Sequence, residues 1–247
     1  MKSFYLTDPG IVRSHNEDSV TIVKNMLGEH MLIVADGMGG HRAGEIASGI
    51  AVSHLSERFR GLSSIGSKLD AINWLDENVA IINAEIIKYA NSNPECMGMG
   101  TTLVVAILTD EFLIFGNIGD SSGFVLKNKK LHKVTKDHTL VNVLVESGEL
   151  TEEEAQNHPK KNVLMRALGA SDKQELDKFA VETDVDAILL CSDGLTNMLS
   201  VEQIESTLND GELDVEMKLS KLVRKCNSRG GTDNISVAYL VKESNDL

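Results

Sequence analysis

The chain has 247 residues, 42% hydrophobic and 25% charged but only 4% aromatic, so a core of Ile, Leu, Val, Ala and Met can close without disulfide or metal staples. A net charge of −13, from 24 basic and 37 acidic residues, argues against nucleic acid or an anionic membrane as partner, since both need a basic face. Cys96, Cys191 and Cys226 are widely spaced with no CxxC or zinc pattern, MKSFYLTDPG is too polar for a signal peptide, and no run nears the ~18 apolar residues of a membrane helix. The expectation is one cytoplasmic domain over 1–247, with no membrane insertion.

In chain order, HMLIVA (30–35) stops at Asp36-Gly37 and predicts a buried strand ending in a turn. Ile46, Ile50, Leu55 and Phe59 predict a helix over 43–60. Leu69, Ile72, Leu75, Val79, Ile82, Ile86 and Tyr89 predict a second over 68–91, and both apolar faces read as core. TTLVVAIL, FLIFGNI, GFVL and LHKVT, separated by the turns TDE, GDSS and KNKK, predict consecutive antiparallel strands. A polar, helix-rich insertion follows over about 139–160, with Thr151 and Glu154 fitting a capping box and Pro159 closing the segment. AILLCS (187–192) predicts a buried strand running into Asp193-Gly194. Ser200 and Gln203 cap a further helix, another covers about 213–226, and NISVAYLV forms a last strand. This order lacks the alternation of a doubly wound parallel sheet and fits an antiparallel sheet assembly flanked by helices.

Asp36, Asp120 and Asp193 each follow an apolar stretch, in LIVADG, FGNIGD and LLCSDG, and Asp233 precedes one in GGTDNISVA. Glu17 and Asp18 add two acids after the polar loop RSHNED. Acids beside glycines at strand ends sit at the rim of a core, where backbone can approach a ligand. Asp and Gly also dominate ordinary turns, and spacing alone does not show that these acids converge. If they converge, repulsion would force some neutral unless a divalent cation relieved it. Oxygen-only donors without a DxDxDG calcium loop favour Mg²⁺ or Mn²⁺ in a hydrolytic site. Two such ions ~3.5–4 Å apart would share a bridging carboxylate and hold a hydroxide for in-line attack on phosphorus.

The ordered set RSHNED (13–18), ADGMGGHRAGEIAS (35–48), GMGTT (98–102), NIGDS (117–121), SDGL (192–195) and GGTDNISV (230–237) resembles the bacterial type 2C metal-dependent protein phosphatases, from about residue 5 to residue 241. The resemblance implies an α+β, four-layer αββα sandwich, two central antiparallel sheets flanked by helix pairs, with a binuclear Mn²⁺ or Mg²⁺ site at one end. It implies that Asp36 bridges the two ions, that the Gly37 carbonyl binds one and that Asp193 and Asp233 ligate the other. Glu17 and Asp18 would act beside them, directly or through water, and Asp120 with Asp193 would hold a third, weaker ion. Arg13 matches the arginine that grips the substrate phosphate, for which a bidentate guanidinium is suited. The implied substrates are phosphoserine and phosphothreonine proteins, the implied partner a cognate serine/threonine kinase, and the expected state a monomer.

Two positions depart from the family pattern. Met38 stands where animal members carry the proposed general acid, a His, leaving His41 as the nearest candidate, with a water on a metal as the alternative. Ser122 stands where the family usually has Arg, removing a positive charge beside the site. The segment from about 144 to 168 matches the family's mobile flap, and its Ser147, His158 and Arg166 read as solvated flap residues within reach of a phosphopeptide. Cys191 reads as a core residue and lacks the HCx₅R context of cysteine phosphatases. A phosphatase with one narrow regulatory target, a metal-binding pseudophosphatase and a non-phosphatase hydrolase are the rival readings.

Overall fold

The computed structural model describes residues 1–39 and 42–242. It runs β1 (Lys2–Asp8), β2 (Asp18–Lys24), β3 (His30–Met38), α1 (Ala43–Arg60), α2 (Lys68–Ser92) and a 3-10 turn (Pro94–Cys96). Then come β4 (Gly100–Thr101), β5 (Leu103–Leu108), β6 (Leu113–Ile118), β7 (Ser122–Lys127), β8 (Lys130–Lys133), α3 (Leu140–Glu146) and α4 (Glu152–Gln156). The chain closes with β9 (Asp177–Val181), β10 (Ala187–Cys191), the single turn α5 (Asp193–Thr196), α6 (Val201–Leu208), α7 (Val215–Ser228) and β11 (Ile235–Val241).

The strands form two antiparallel sheets. One has the order β1-β11-β10-β7-β8; the other has β2-β3-β5-β6-β9, with β4 added to the end of β3. Period-2 alternation lets each central strand feed two cores. In β3, Met31 and Ile33 pack with Leu55, Phe59, Leu75 and Ile82 of α1 and α2. Their neighbours Leu32 and Val34 pack with Ile188, Leu190, Ala238 and Leu240 of the other sheet. On that sheet's outer side, Leu189, Val237 and Tyr239 meet Ile204, Leu219, Leu222 and Cys226 of α6 and α7. The result is the four-layer αββα sandwich, each fully buried Leu, Ile or Val contributing roughly 1.5–3 kcal/mol.

Helix ends follow local chemistry. Ser67 with Asp70, Thr151 with Glu154 and Ser200 with Gln203 form reciprocal capping boxes, each satisfying otherwise orphaned N–H groups. In α2 the buried stripe is Ala71, Leu75, Asn78, Val79, Ile82, Asn83 and Ile86. Leu69 and Tyr89 lie off it, 64% and 37% exposed, so the apolar face is narrower than the sequence pattern implied.

The expected run of consecutive strands breaks at one place. β5 pairs with β6 and β7 with β8, but β6 and β7 lie in different sheets. Residues 119–121 therefore form a crossing between layers, not a hairpin turn. Gly119 makes the crossing with φ +103°, where an added Cβ would meet the Thr102 side chain at 2.6 Å. That crossing carries Asp120 to the end of the sandwich.

Candidate active site

One end of the sandwich collects the acids. Asp18 heads β2 and Asp36 lies near the end of β3, directly opposite each other in the hairpin register. Asp120 follows β6, Asp193 follows β10, and Asp233 precedes β11. Arg13, Glu17, Asp36, Gly37, Asp120, Asp193 and Asp233 line one cavity of about 270 Å³, joined by Met38, Thr102, Asn234 and, from the segment after α4, Asn162 and Leu164. Asp18 is buried, with Ser192 Oγ donating to its Oδ2 at 2.7 Å. His41 lies outside the described residues.

The backbone around these groups is tied down by hydroxyls. Thr102 Oγ1 accepts from Asp36 N at 2.9 Å, while Thr102 N and Thr101 Oγ1 both donate to Asp36 O at 2.9 Å. Gly194 packs so closely on the start of β11 that a Cβ there would overlap the Asn234 carbonyl. Asn234 bridges segments more than 200 residues apart. Its Oδ1 accepts from Glu17 N at 2.8 Å, and its Nδ2 donates to the carbonyls of Pro9 and His15 at 3.0 and 2.9 Å. It holds the 9–17 loop, and hence Arg13 and Glu17, against the mouth of the cavity. Sequence reading missed Asn234, Thr102 and Ser192; their adjacency to Asp233, Thr101 and Asp193 inside the quoted motifs was the only signal.

The electrostatics are those of carboxylates crowded in poor solvent. Burial pushes Asp18 and Asp120 up to about 7 and Asp193 to about 6, and drives Asp36 well above the usual range. The neighbouring acids reinforce each shift, and burial likewise raises Glu17. Asp18 Oδ1 and Asp193 Oδ1 are buried with no hydrogen-bond partner. Arg13 places Nη2 2.9 Å from Asp233 Oδ2, an exposed pair at the rim. Among the described residues no three His, Cys, Asp or Glu side chains close on a common point as a ready-made metal cage. The donor set still suits a hard divalent cation: oxygen only, anionic, and with buried lone pairs unclaimed.

Other residues stand apart. Cys191 is fully buried and its thiol is pushed up by burial, which removes it as a nucleophile. Ser122 is fully buried opposite Cys191, its hydroxyl without a partner. Arg166 is pinned rather than solvated: Nη1 donates to Asp177 Oδ1 at 2.8 Å and Nη2 to the Glu175 carbonyl.

Residues 12–233 match the protein phosphatase 2C family. The serine/threonine phosphatase stp of Listeria monocytogenes serovar 1/2a is 41% identical over 244 residues, covering 98% of this chain and 96% of that protein. Protein phosphatase PhpP of Streptococcus pneumoniae serotype 2 is 38% identical over 251 residues, covering 100% and 99%. The solved structure of the S. agalactiae serine/threonine phosphatase superposes with a TM-score of 0.92 at 36% identity, covering 98% of this chain and 99% of that one. With the fold, the motif order and these relatives in agreement over nearly the whole length, the chain belongs to the protein phosphatase 2C family as a bacterial-type serine/threonine phosphatase.

Proposed function

We propose that the chain removes phosphate from phosphoserine and phosphothreonine proteins at a binuclear Mn²⁺ or Mg²⁺ site, opposing a bacterial serine/threonine kinase. The observation that carries this is the ring of Asp36, Asp120, Asp193 and Asp233 around one cavity, with Asp18 buried beside it and buried carboxylate oxygens lacking any partner. Asp36, Asp193, Asp233 and the Gly37 carbonyl would hold the two ions, Glu17 and Asp18 would support them, and Asp120 with Asp193 would hold a third, weaker one. Bound there, the ions neutralise the phosphoryl oxygens and make a water nucleophilic at neutral pH.

The protein's own groups do the rest. Arg13, exposed at the rim and half-engaged by Asp233, is placed to turn its free N–H donors onto a substrate phosphate. Thr101 and Thr102 fix the Asp36 backbone, so its carboxylate needs little reorganisation. Asn162 and Leu164, from the segment after α4, form part of the cavity wall and are the residues there that a bound phosphopeptide would meet on that side. With His41 undescribed, we assign the leaving-group proton either to that side chain or to water. No helix among the described residues is long and apolar enough to cross a membrane. The proposed setting is the cytoplasm, with the chain acting as a monomer of one catalytic domain.

The test is phosphate release from a phosphothreonine peptide with Mn²⁺, with Mg²⁺, with EDTA, and with Asp193→Ala. We expect turnover that requires metal and is lost in the variant. Turnover that survives both EDTA and Asp193→Ala would falsify the metal mechanism. Metal binding without turnover of the peptide or an aryl phosphate would leave a binding module.

A further inference from the structure

His138 lies outside the ring of acids, 9% exposed, yet each of its polar groups is engaged. Its backbone N donates to the Gly119 carbonyl at 2.9 Å, and its Nδ1 accepts from Gly119 N at 3.0 Å. This two-bond clamp grips the residue before Asp120. Its backbone carbonyl accepts from Met165 N at 2.8 Å, on the strand-like segment leaving the flap. Since Nδ1 is an acceptor, the ring proton sits on Nε2, 3.0 Å from Asp177 Oδ2. Asp177 is held in turn by Arg166, whose Nη1 lies 3.0 Å from His138 Nε2. Asn117 completes the frame, its Nδ2 donating to the carbonyls of Lys136 and Gly119 at 2.9 and 3.3 Å.

The crossing at Gly119 therefore does not rest on its own turn geometry. A left-handed glycine is the freest link in a chain, and here that freedom lies beside a carboxylate that must reach across to Asp193. A histidine that fills both hydrogen-bonding groups of that glycine removes the freedom, and its far nitrogen is anchored by a carboxylate. This is the arrangement by which outer groups orient metal ligands.

We propose that His138 is a positioning residue for Asp120: through Gly119 it fixes the turn that presents this carboxylate, and through Met165, Asp177 and Arg166 it ties that turn to the root of the flap. The role rests on the reading of Asp120 as a ligand for the weakest-bound ion. Movement of the flap and occupancy of that ion are then linked through one imidazole.

The two amide isosteres separate the two ends of the ring. His138→Asn keeps an acceptor where Nδ1 stands and gives up Asp177. His138→Gln keeps a group where Nε2 stands and gives up the bond from Gly119 N, the backbone bond to the Gly119 carbonyl remaining. Mn²⁺ binding to the metal-stripped protein is measured by titration calorimetry, alongside the melting temperature without metal. We expect His138→Gln to weaken the weakest Mn²⁺ binding step about tenfold and His138→Asn to weaken it clearly less. In an Asp120→Asn background, His138→Gln should add nothing, because coupled residues are not additive. Should His138→Gln not fold, Asp177→Ala, which loosens the ring but leaves the Gly119 bond, is measured in the same pair of backgrounds: the expected loss is the smaller one of His138→Asn, absent in Asp120→Asn, and a loss undiminished there overturns the role. Wild-type binding in His138→Gln, or a loss that persists undiminished in Asp120→Asn, overturns the positioning role. Wild-type protein that binds no Mn²⁺ overturns the metal reading itself and the positioning role with it.

Discussion

Asp18 and Asp36 face each other across a hairpin, a like-charge pairing that weakens a sheet unless something relieves it. Ser192 relieves part of it, and the proposed cations the rest. The chemistry of two side chains, Asp193 and Arg13, is testable at this scale. Asp193→Asn should cut phosphopeptide turnover by more than about 100-fold, beyond what groups that merely support a ligand contribute. The same change should stabilise the metal-free protein at pH 8 by on the order of 1–3 kcal/mol, since it deletes a buried charge; urea unfolding in EDTA checks this. Arg13→Ala should raise KM about tenfold or more while shifting unfolding by less than about 1 kcal/mol, because its pair with Asp233 is exposed. Equal KM values for the variant and wild type would remove Arg13 from substrate binding.

At the scale of elements, packing decides what each local device contributes. Ser67 caps α2, whose stripe is sealed against a core, so Ser67→Ala should cost about 1 kcal/mol of global stability. Thr151 caps α4, a short helix that buries Ala155. Thr151→Ala should leave the urea midpoint nearly unchanged and instead speed amide exchange over 152–156, since that segment opens locally. Gly194→Ala should cost about 3 kcal/mol or more, as the start of β11 has no room to yield. Elements with strong periodicity were legible in the sequence: β3, β5, β10, β11, α1 and α2, along with two of the capping boxes. β1, β2 and β9 were not, because they are edge strands with half-exposed faces and mixed patterning. The β6–β7 crossing was misread because GDSS has ordinary turn chemistry. Only the three-core packing, invisible locally, sends β7 to the other sheet.

For the molecule as a whole, the acids make stability depend on pH in a direction opposite to the common one. Asp18, Asp120 and Asp193 carry folded-state values of about 7, 7 and 6, above the ordinary 3.8. The folded, metal-free protein therefore binds more protons than the unfolded chain, and stability from these groups is full below about pH 4 and lost as pH rises through 6–7. His30 opposes this below neutrality: burial lowers it from 6.5 to about 4, so its contribution is lost as pH falls across that window. In EDTA, the melting temperature should rise as pH falls from 8 to 6.5. Saturating Mn²⁺ should reverse that slope, because metal and proton compete for the same oxygens. A metal-free protein more stable at pH 8 than at 6.5 would show that the carboxylates are not crowded. The acids themselves were legible in the sequence as residues beside apolar runs. Their partners were not, because Asn234, Ser192 and His138 act through hydrogen bonds to segments 19 to 225 residues away.

The pairing of β1 with β11, Lys2 opposite Val241, also sets an order of events during biosynthesis. β11 lies between β1 and β10, so until Ile235–Val241 emerges from the ribosome, the first strand has no neighbour in its sheet and Asp233 cannot face the acids around Asp36. Asp18 and Asp36 are thus translated long before Asp233, the acid that joins them at the site. A chain that stalls upstream of β11 lacks Asp233 at the site and is expected to be inactive. The acids of the site are thus brought together only after β11 has been made.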